Sequence, residues 1–253
     1  MLGGENLRLA LKFAIENLQL PRDYRRIFIS FIKKSFQLSS SELFEKYYAK
    51  GSTVAKPYSF AVLLPKPKFI GKQVELSSNT LTVIFSTGDS LVGLSAYNAF
   101  MAMVKKQYPL PDSNYMALQR VLPKREKIVH SSQVLINFVS PLLIREHTRT
   151  SDYYYSVAHD KFAEKCLINV KHQLELLVKS EIHLGNCSLQ PVKAKKVIAE
   201  HYGQMLEGSL GIFKLHGSAY LINLLYKFGM GSRRSAGFGL FEILSKGGET
   251  CVQ

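Results

Sequence analysis

The sequence predicts an α+β fold made of two successive β-α-β-β-α-β units, and three observations lead there. Short runs that alternate apolar and polar side chains read as strands. Longer stretches with apolar residues three and four apart read as helices. The order strand, helix, strand, strand, helix, strand occurs once before Pro123 and again after it.

In the first unit Leu7 to Ile15 has strand period, with Leu7, Leu9, Leu11, Phe13 and Ile15 set against Arg8 and Lys12. Pro21 opens a helical segment. Steps of 100° put Ile27, Phe28 and Phe31 on one face and Arg22, Arg25, Arg26 and Lys33 on the other. Ser39 to Glu42 has capping-box spacing for a second short helix, and Gly51 suits its stop. Tyr58 to Leu64 and Thr80 to Ser86 are strands, Asp89 begins a helix through about Lys106, and Met116 to Leu122 closes the unit. In the second unit Gln133 to Arg145 is a strand. Ala158 to Lys179 is a long helix with Phe162, Cys166, Val170 and Leu174 along one stripe. Val192 to Glu200 and Leu210 to Leu215 are strands, Ser218 to Phe228 a helix and Phe238 to Leu244 the last strand. The fold class is therefore two tandem ferredoxin-like (βαββαβ, RRM-like) domains, 1–124 and 125–253, with a glycine-rich loop near the C-terminus.

A chain of 253 residues, 46% hydrophobic, buries a sizeable core, and it lacks the composition of a disordered protein. Its formal charge of +14 is spread over both halves: 17 of the 33 Lys+Arg and 8 of the 19 Asp+Glu lie in residues 1–124. A polyanion lying across a folded body fits that distribution better than a basic tail does. Cys166, Cys187 and Cys251 form neither a disulfide framework nor a zinc site. No signal peptide is visible in Gly3-Gly4-Glu5-Asn6, and no apolar run approaches a membrane span, so the expected location is cytoplasmic. No metal-ligand cluster or cofactor motif is present.

The most specific feature is Gly229-Met230-Gly231-Ser232-Arg233-Arg234-Ser235-Ala236-Gly237-Phe238-Gly239. Two Gly-x-Gly pairs flank two arginines. Gly229, Gly231, Gly237 and Gly239 permit positive φ, which would let backbone N–H groups approach phosphates, and Arg233 and Arg234 supply bidentate contacts. The loop leaves a helix and enters a strand. P-loops and dinucleotide fingerprints run the other way, so those nucleotide-binding classes are disfavoured.

This loop resembles the signature of the CRISPR repeat-processing endoribonucleases of the RAMP superfamily: Gly, hydrophobic, Gly, five residues containing a base, Gly, hydrophobic, Gly. Val139-Ser140-Pro141-Leu142-Leu143-Ile144-Arg145 is similar to the segment opening that family's second domain. Lys56-Pro57-Tyr58-Ser59-Phe60 is similar to its strand after the first helical region. The resemblance implies a metal-independent cut in CRISPR repeat RNA by the substrate's own 2′-hydroxyl, leaving a cyclic phosphate and a free 5′-hydroxyl. It implies repeat RNA as partner; other surveillance-complex subunits and a second copy of the chain are further candidates.

Many members of that family carry a histidine in or just after the first helical region, a few residues before a glycine. Here Tyr47 or Tyr48 occupies the place, and no histidine precedes His130. Three readings stay open. One is a histidine-free site with Tyr48 or Tyr47 and charge stabilisation from Lys50, Lys33 or Arg26. Another relocates the base to His147, in a polar loop with Arg149 and the run Tyr153-Tyr154-Tyr155. The third is an RNA binder that does not cut. Packing is an alternative role for both Tyr47 and Tyr48, which cannot both face the core of one helix. The RNA contacts expected beyond the loop are Arg22, Arg25, Lys33 and Arg149.

Overall fold

The computed structural model describes residues 7–149 and 151–244; Cys251 and the Gly3 to Asn6 stretch lie outside them. In chain order the first half comprises β1 (Leu7–Ile15), β2 (Gln19–Pro21), α1 (Arg25–Ser39), α2 (Ser41–Tyr48), β3 (Tyr58–Leu63), β4 (Lys68–Ile70), β5 (Gln73–Glu75), β6 (Thr80–Thr87), α3 (Ser90–Met101), β7 (Gln107–Pro109) and β8 (Tyr115–Pro123). The second half comprises β9 (Gln133–Leu142), β10 (Ile144–His147), β11 (Asp152–Tyr155), α4 (Phe162–Val178), β12 (Ser188–His201), β13 (Gln204–His216), α5 (Ala219–Phe228), a 3-10 turn (Arg234–Ala236) and β14 (Phe241–Leu244).

The main sheets run β3-β6-β1-β8-β7 and β12-β13-β9-β14 with antiparallel neighbours. Numbering only the core strands of each unit, both orders are second, third, first, fourth, the tandem ferredoxin-like arrangement. The predicted helical stripe holds: Phe162, Cys166, Val170 and Leu174 are all buried. Burial raises the Cys166 thiol pKa to about 12 and that of Cys187 to about 11.

Several expectations are corrected. Pro21 ends a short strand paired with β5 rather than opening a helix, and α1 starts at Arg25. The capping box does not form, since Ser40 is the N-cap and its side chain makes no cap bond. The third helix ends at Met101 rather than near Lys106, though Asp89 does cap it, accepting from the Val92 N–H. The β4–β5 and β10–β11 hairpins carry too few residues to show a period.

Strand β1 is central and covered on both sides. Its odd positions enter the first core, while Ala10, with Ala61 and Ile84, meets Leu240 and Val139 of the second half. Small residues on that face let the two halves close. Arg8, only 2% exposed, lies across the seam rather than in solvent. It donates to Glu242 at 3.0 Å and to the Phe241 carbonyl at 2.9 Å, with its guanidinium 4.0 Å from the Tyr226 ring centroid. A buried cation is tolerable because its donors are so matched.

Candidate nucleic-acid interface

The glycine-rich loop leaves α5 and packs between the halves, so its glycines answer to sterics. Gly229, Gly231, Gly237 and Gly239 all have positive φ. A Cβ on Gly239 would lie 1.8 Å from the Met230 carbonyl oxygen, and one on Gly231 2.6 Å from that of Leu143. On Gly237 it would meet the Phe60 ring at 2.9 Å, and on Gly229 the Ser59 side chain at 2.9 Å. Four of the loop's N–H groups at its two Gly-x-Gly ends bond within the protein: Met230 donates to Gly239, Gly231 to the Gln173 side chain, Ser232 to Leu143 and Gly239 to Pro141. The N–H groups of Met230, Gly231, Ser232 and Gly239 thus face protein acceptors rather than an open cradle. The glycines hold the loop against β3 and the end of β9, with Phe238 buried beneath; burying such a ring contributes about 1.5–3 kcal/mol.

The two arginines part company. Arg234 turns inward and donates to the Phe228 carbonyl at 2.9 Å, and burial lowers its pKa to about 10, so it stays charged at neutral pH. Arg233, at φ +55, turns toward the β10–β11 hairpin, where it donates to the Tyr154 hydroxyl at 2.8 Å and lies 3.6 Å from Asp152.

That hairpin replaces the expected polar loop, and its register builds a face. His147 lies opposite Asp152, and Arg145 opposite Tyr154. His147 Nδ1 is 2.6 Å from one Asp152 oxygen, and Arg145 donates to the other at 3.1 Å. The His147 contact, then Arg145, hold the Asp152 carboxyl below the usual carboxylate range. The His147 side chain is 73% exposed. Arg149 is exposed at the hairpin tip. Tyr153 and Tyr155 point the other way, toward His159 and Glu146. His216 is tied to the Asn186 carbonyl, and His172 and His183 are exposed.

The tyrosines of α2 fare differently. Tyr47 is buried and Tyr48 half-buried, so both pack against the core, contrary to the expectation that one would be surface. The Tyr48 hydroxyl bonds that of Tyr58, and burial raises its pKa well above the ordinary tyrosine value. Burial also raises Tyr47. Both hydroxyls are thereby held protonated at neutral pH. Lys56 lies 5.0 Å from the Tyr48 ring centroid, with its pKa lowered by burial and then by Lys33; Lys50 is exposed in the following turn.

The cationic face expected on α1 divides. Arg26 and Lys33 are exposed. Arg22 is half-buried, donates to the Gly71 carbonyl and faces Glu200 at 4.0 Å. Arg25 is buried: it donates to the Gly237 carbonyl at 3.2 Å and stacks on Phe238 and Tyr24, so it clamps the loop from below rather than facing solvent. A 100° wheel cannot show that a second lobe covers one edge of the helix.

His201 escaped the sequence reading. Its side chain is 2% exposed, against the rings of Phe238 and Tyr202, 3.7 Å from Asp23. Burial first, then the charges of Arg233, Arg25 and Arg26, lower its pKa to about 4, so it is neutral at pH 7. Only a lone His before a Tyr-Gly turn marks it in the sequence. Among the described residues no group of three or more His, Cys, Asp or Glu is arranged to hold a metal, and no helix is long and apolar enough to cross a membrane.

Comparison with known proteins bears on this arrangement. Residues 123–243 match the family model described as CRISPR associated protein Cas6, C-terminal. No curated protein sequence matches the chain. Among solved structures, one of a Cas6-related gene from Pyrococcus furiosus superposes with a TM-score of 0.83 at 13% identity, covering 96% of this chain and 100% of the other. A RAMP protein binding different RNA substrates gives 0.80 at 14%, covering 94% and 100%. A Cas6 product complex gives 0.68 at 14%, covering 95% and 100%.

Proposed function

From the membership of residues 123–243 in the Cas6 C-terminal family, we propose that the chain is a metal-independent endoribonuclease that binds CRISPR repeat RNA and cuts it through the substrate's own 2′-hydroxyl. The observation that carries the reading is the polar face of β10–β11, where an exposed histidine is held by a carboxylate that two arginines also flank. Asp152 accepts from Nδ1–H, which fixes the tautomer and leaves His147 Nε2 as the free acceptor. In the proposed step Nε2 takes the 2′-hydroxyl proton and the 2′-oxygen bonds to the adjacent phosphorus. The bond to the 5′-oxygen breaks; that oxygen takes a proton from solvent, and Nε2 then gives up the proton it took, so the cut is proton-neutral. Products are a 2′,3′-cyclic phosphate and a 5′-hydroxyl. Arg233 and Arg145 offset the charge that builds on the phosphoryl oxygens, with Arg26, Lys33 and Arg149 holding the flanking chain.

The division into domains 1–124 and 125–253 belongs to the same reading, supported by β8 ending at Pro123 and β9 starting at Gln133. Two buried free thiols, Cys166 and Cys187, suit a reducing, cytoplasmic setting.

A second reading, RNA binding without cleavage, is favoured by the sealed Tyr48–Tyr58 contact at the position where related sequences place a histidine. One experiment separates the two. Repeat RNA is incubated with the chain with and without chelator, beside RNA carrying a 2′-deoxy group at the cut. Cleavage that survives chelation, vanishes with the deoxy substrate and falls about 10²- to 10⁴-fold in His147→Ala supports the nuclease. Tight binding with no product over long incubation supports the second reading.

A further inference from the structure

The outer side of α1, where the reading above already sets Arg26 and Lys33 against the RNA, carries further features beside them that it leaves unused. Arg26, Ser30 and Lys33 line a groove of about 530 Å³ bounded by Tyr108 and Tyr202. A second groove of about 600 Å³ continues from it, sharing Ser30, Lys33 and Tyr108 and adding Lys34 and Lys106. Tyr108 sits at the junction, its hydroxyl donating to Ser30 at 2.8 Å and its ring packed on Phe31. Asp23 is the sole carboxylate among the residues lining the two grooves, and it already accepts the Tyr202 N–H at 2.7 Å.

Tyr202 is the residue that singles out this track. It forms, with Gly203, the two-residue turn between β12 and β13, and both have positive φ, +50° and +74°. Such turns favour Asn-Gly; a bulky side chain in the left-handed region is strained. Strain kept at a surface position points to a use for the side chain. The ring is 57% exposed, and the guanidinium of Arg26, itself 55% exposed, lies 4.6 Å from its centroid. A flat ring beside a stacked guanidinium, on a run of four cations, matches the pairing of base and phosphate in an unpaired nucleic-acid strand.

We propose that Tyr202 and Tyr108 are stacking platforms for bases of single-stranded RNA, whose phosphates run along Arg26, Lys33, Lys34 and Lys106. The proposal rests on the functional reading above and deepens it, giving the RNA that Arg26 and Lys33 hold two base-stacking partners along α1.

The test is equilibrium binding of fluorescein-labelled oligoadenylate and of repeat RNA to the full chain and its variants. Tyr202→Asn suits the turn, so it folds with an unchanged or raised melting temperature while RNA affinity falls about five- to a hundredfold, the range for losing one stacked base. Tyr202→Trp keeps the affinity. Tyr108→Ala weakens binding in the same direction, and Lys34→Ala or Lys106→Ala each flatten the slope of log K against log salt by about 0.7. Wild-type affinity in Tyr202→Asn, with repeat RNA still bound by the wild type, overturns the groove alone. Displacement of the RNA by polyglutamate at equal charge also overturns it, in favour of an acidic peptide site. A wild-type chain that binds no repeat RNA defeats the functional reading first.

Discussion

The glycine-rich loop and the β10–β11 hairpin touch through Arg233, yet they use their residues in opposite ways. The loop has the more distinctive sequence, and its two ends are spent on packing: the glycines admit carbonyls and rings where a Cβ would collide, and the N–H groups of Met230, Gly231, Ser232 and Gly239 bond to the protein. The hairpin has an unremarkable sequence and displays His147, Arg145, Arg149 and Asp152 to solvent. A sequence signature can thus mark the frame that positions a site rather than the groups that act in it.

The sharpest way to break this contrast is Gly239→Ala. Its Cβ has no room beside the Met230 carbonyl, and its φ of +69° suits glycine. The expected loss is more than about 4 kcal/mol in chemical denaturation, with the seam between halves opened. If the variant folds normally and loses only RNA affinity, the loop is a ligand cradle and the contrast fails.

A smaller effect reads the floor beneath both regions, where His201 meets Phe238. Its folded pKa of about 4 lies below the unfolded value of about 6.5, so the folded state binds fewer protons in acid. Its contribution is whole above pH ~6.5 and is lost as pH falls toward ~4, by about 3 kcal/mol in all. Asp23, raised by burial, works in the opposite sense at lower pH. Melting temperature measured against pH should therefore fall less steeply over that window in His201→Phe than in the wild type. Equal slopes would mean that His201 is not held neutral.

Much of the frame was legible because it depends on local periodicity. The α4 stripe, the β1 alternation and the helix starts at Ser218 and Asp89 need only neighbours in the chain. What escaped depends on the second lobe. Arg8 read as a polar position of the β1 alternation and Arg25 as part of a cationic helix face, yet both are buried at the seam; nothing near them in sequence names Glu242 or Gly237 as partners. The site shows the same divide. His147 stood out as a histidine in a polar segment, but its partner Asp152 became visible only through the hairpin register. His201 needed the fold to bring β12 against α1.

The finest test compares two adjacent arginines. Arg234→Ala leaves the Phe228 carbonyl without its donor and should cost about 1–3 kcal/mol of stability, with repeat RNA affinity changed little once the chain is folded. Arg233→Ala removes a half-buried cation bonded to the Tyr154 and Asp152 side chains, so stability should move by less than about 1 kcal/mol. Its effect should appear in binding, as a weaker complex whose log K depends on log salt with a slope smaller by about 0.7. Denaturation and salt-titrated binding on both variants check the pair. Two arginines that lose RNA affinity equally, with stability untouched, would mean that Arg234 leaves its inward bond to reach the ligand. The loop would then act on RNA through both of its bases rather than through Arg233 alone.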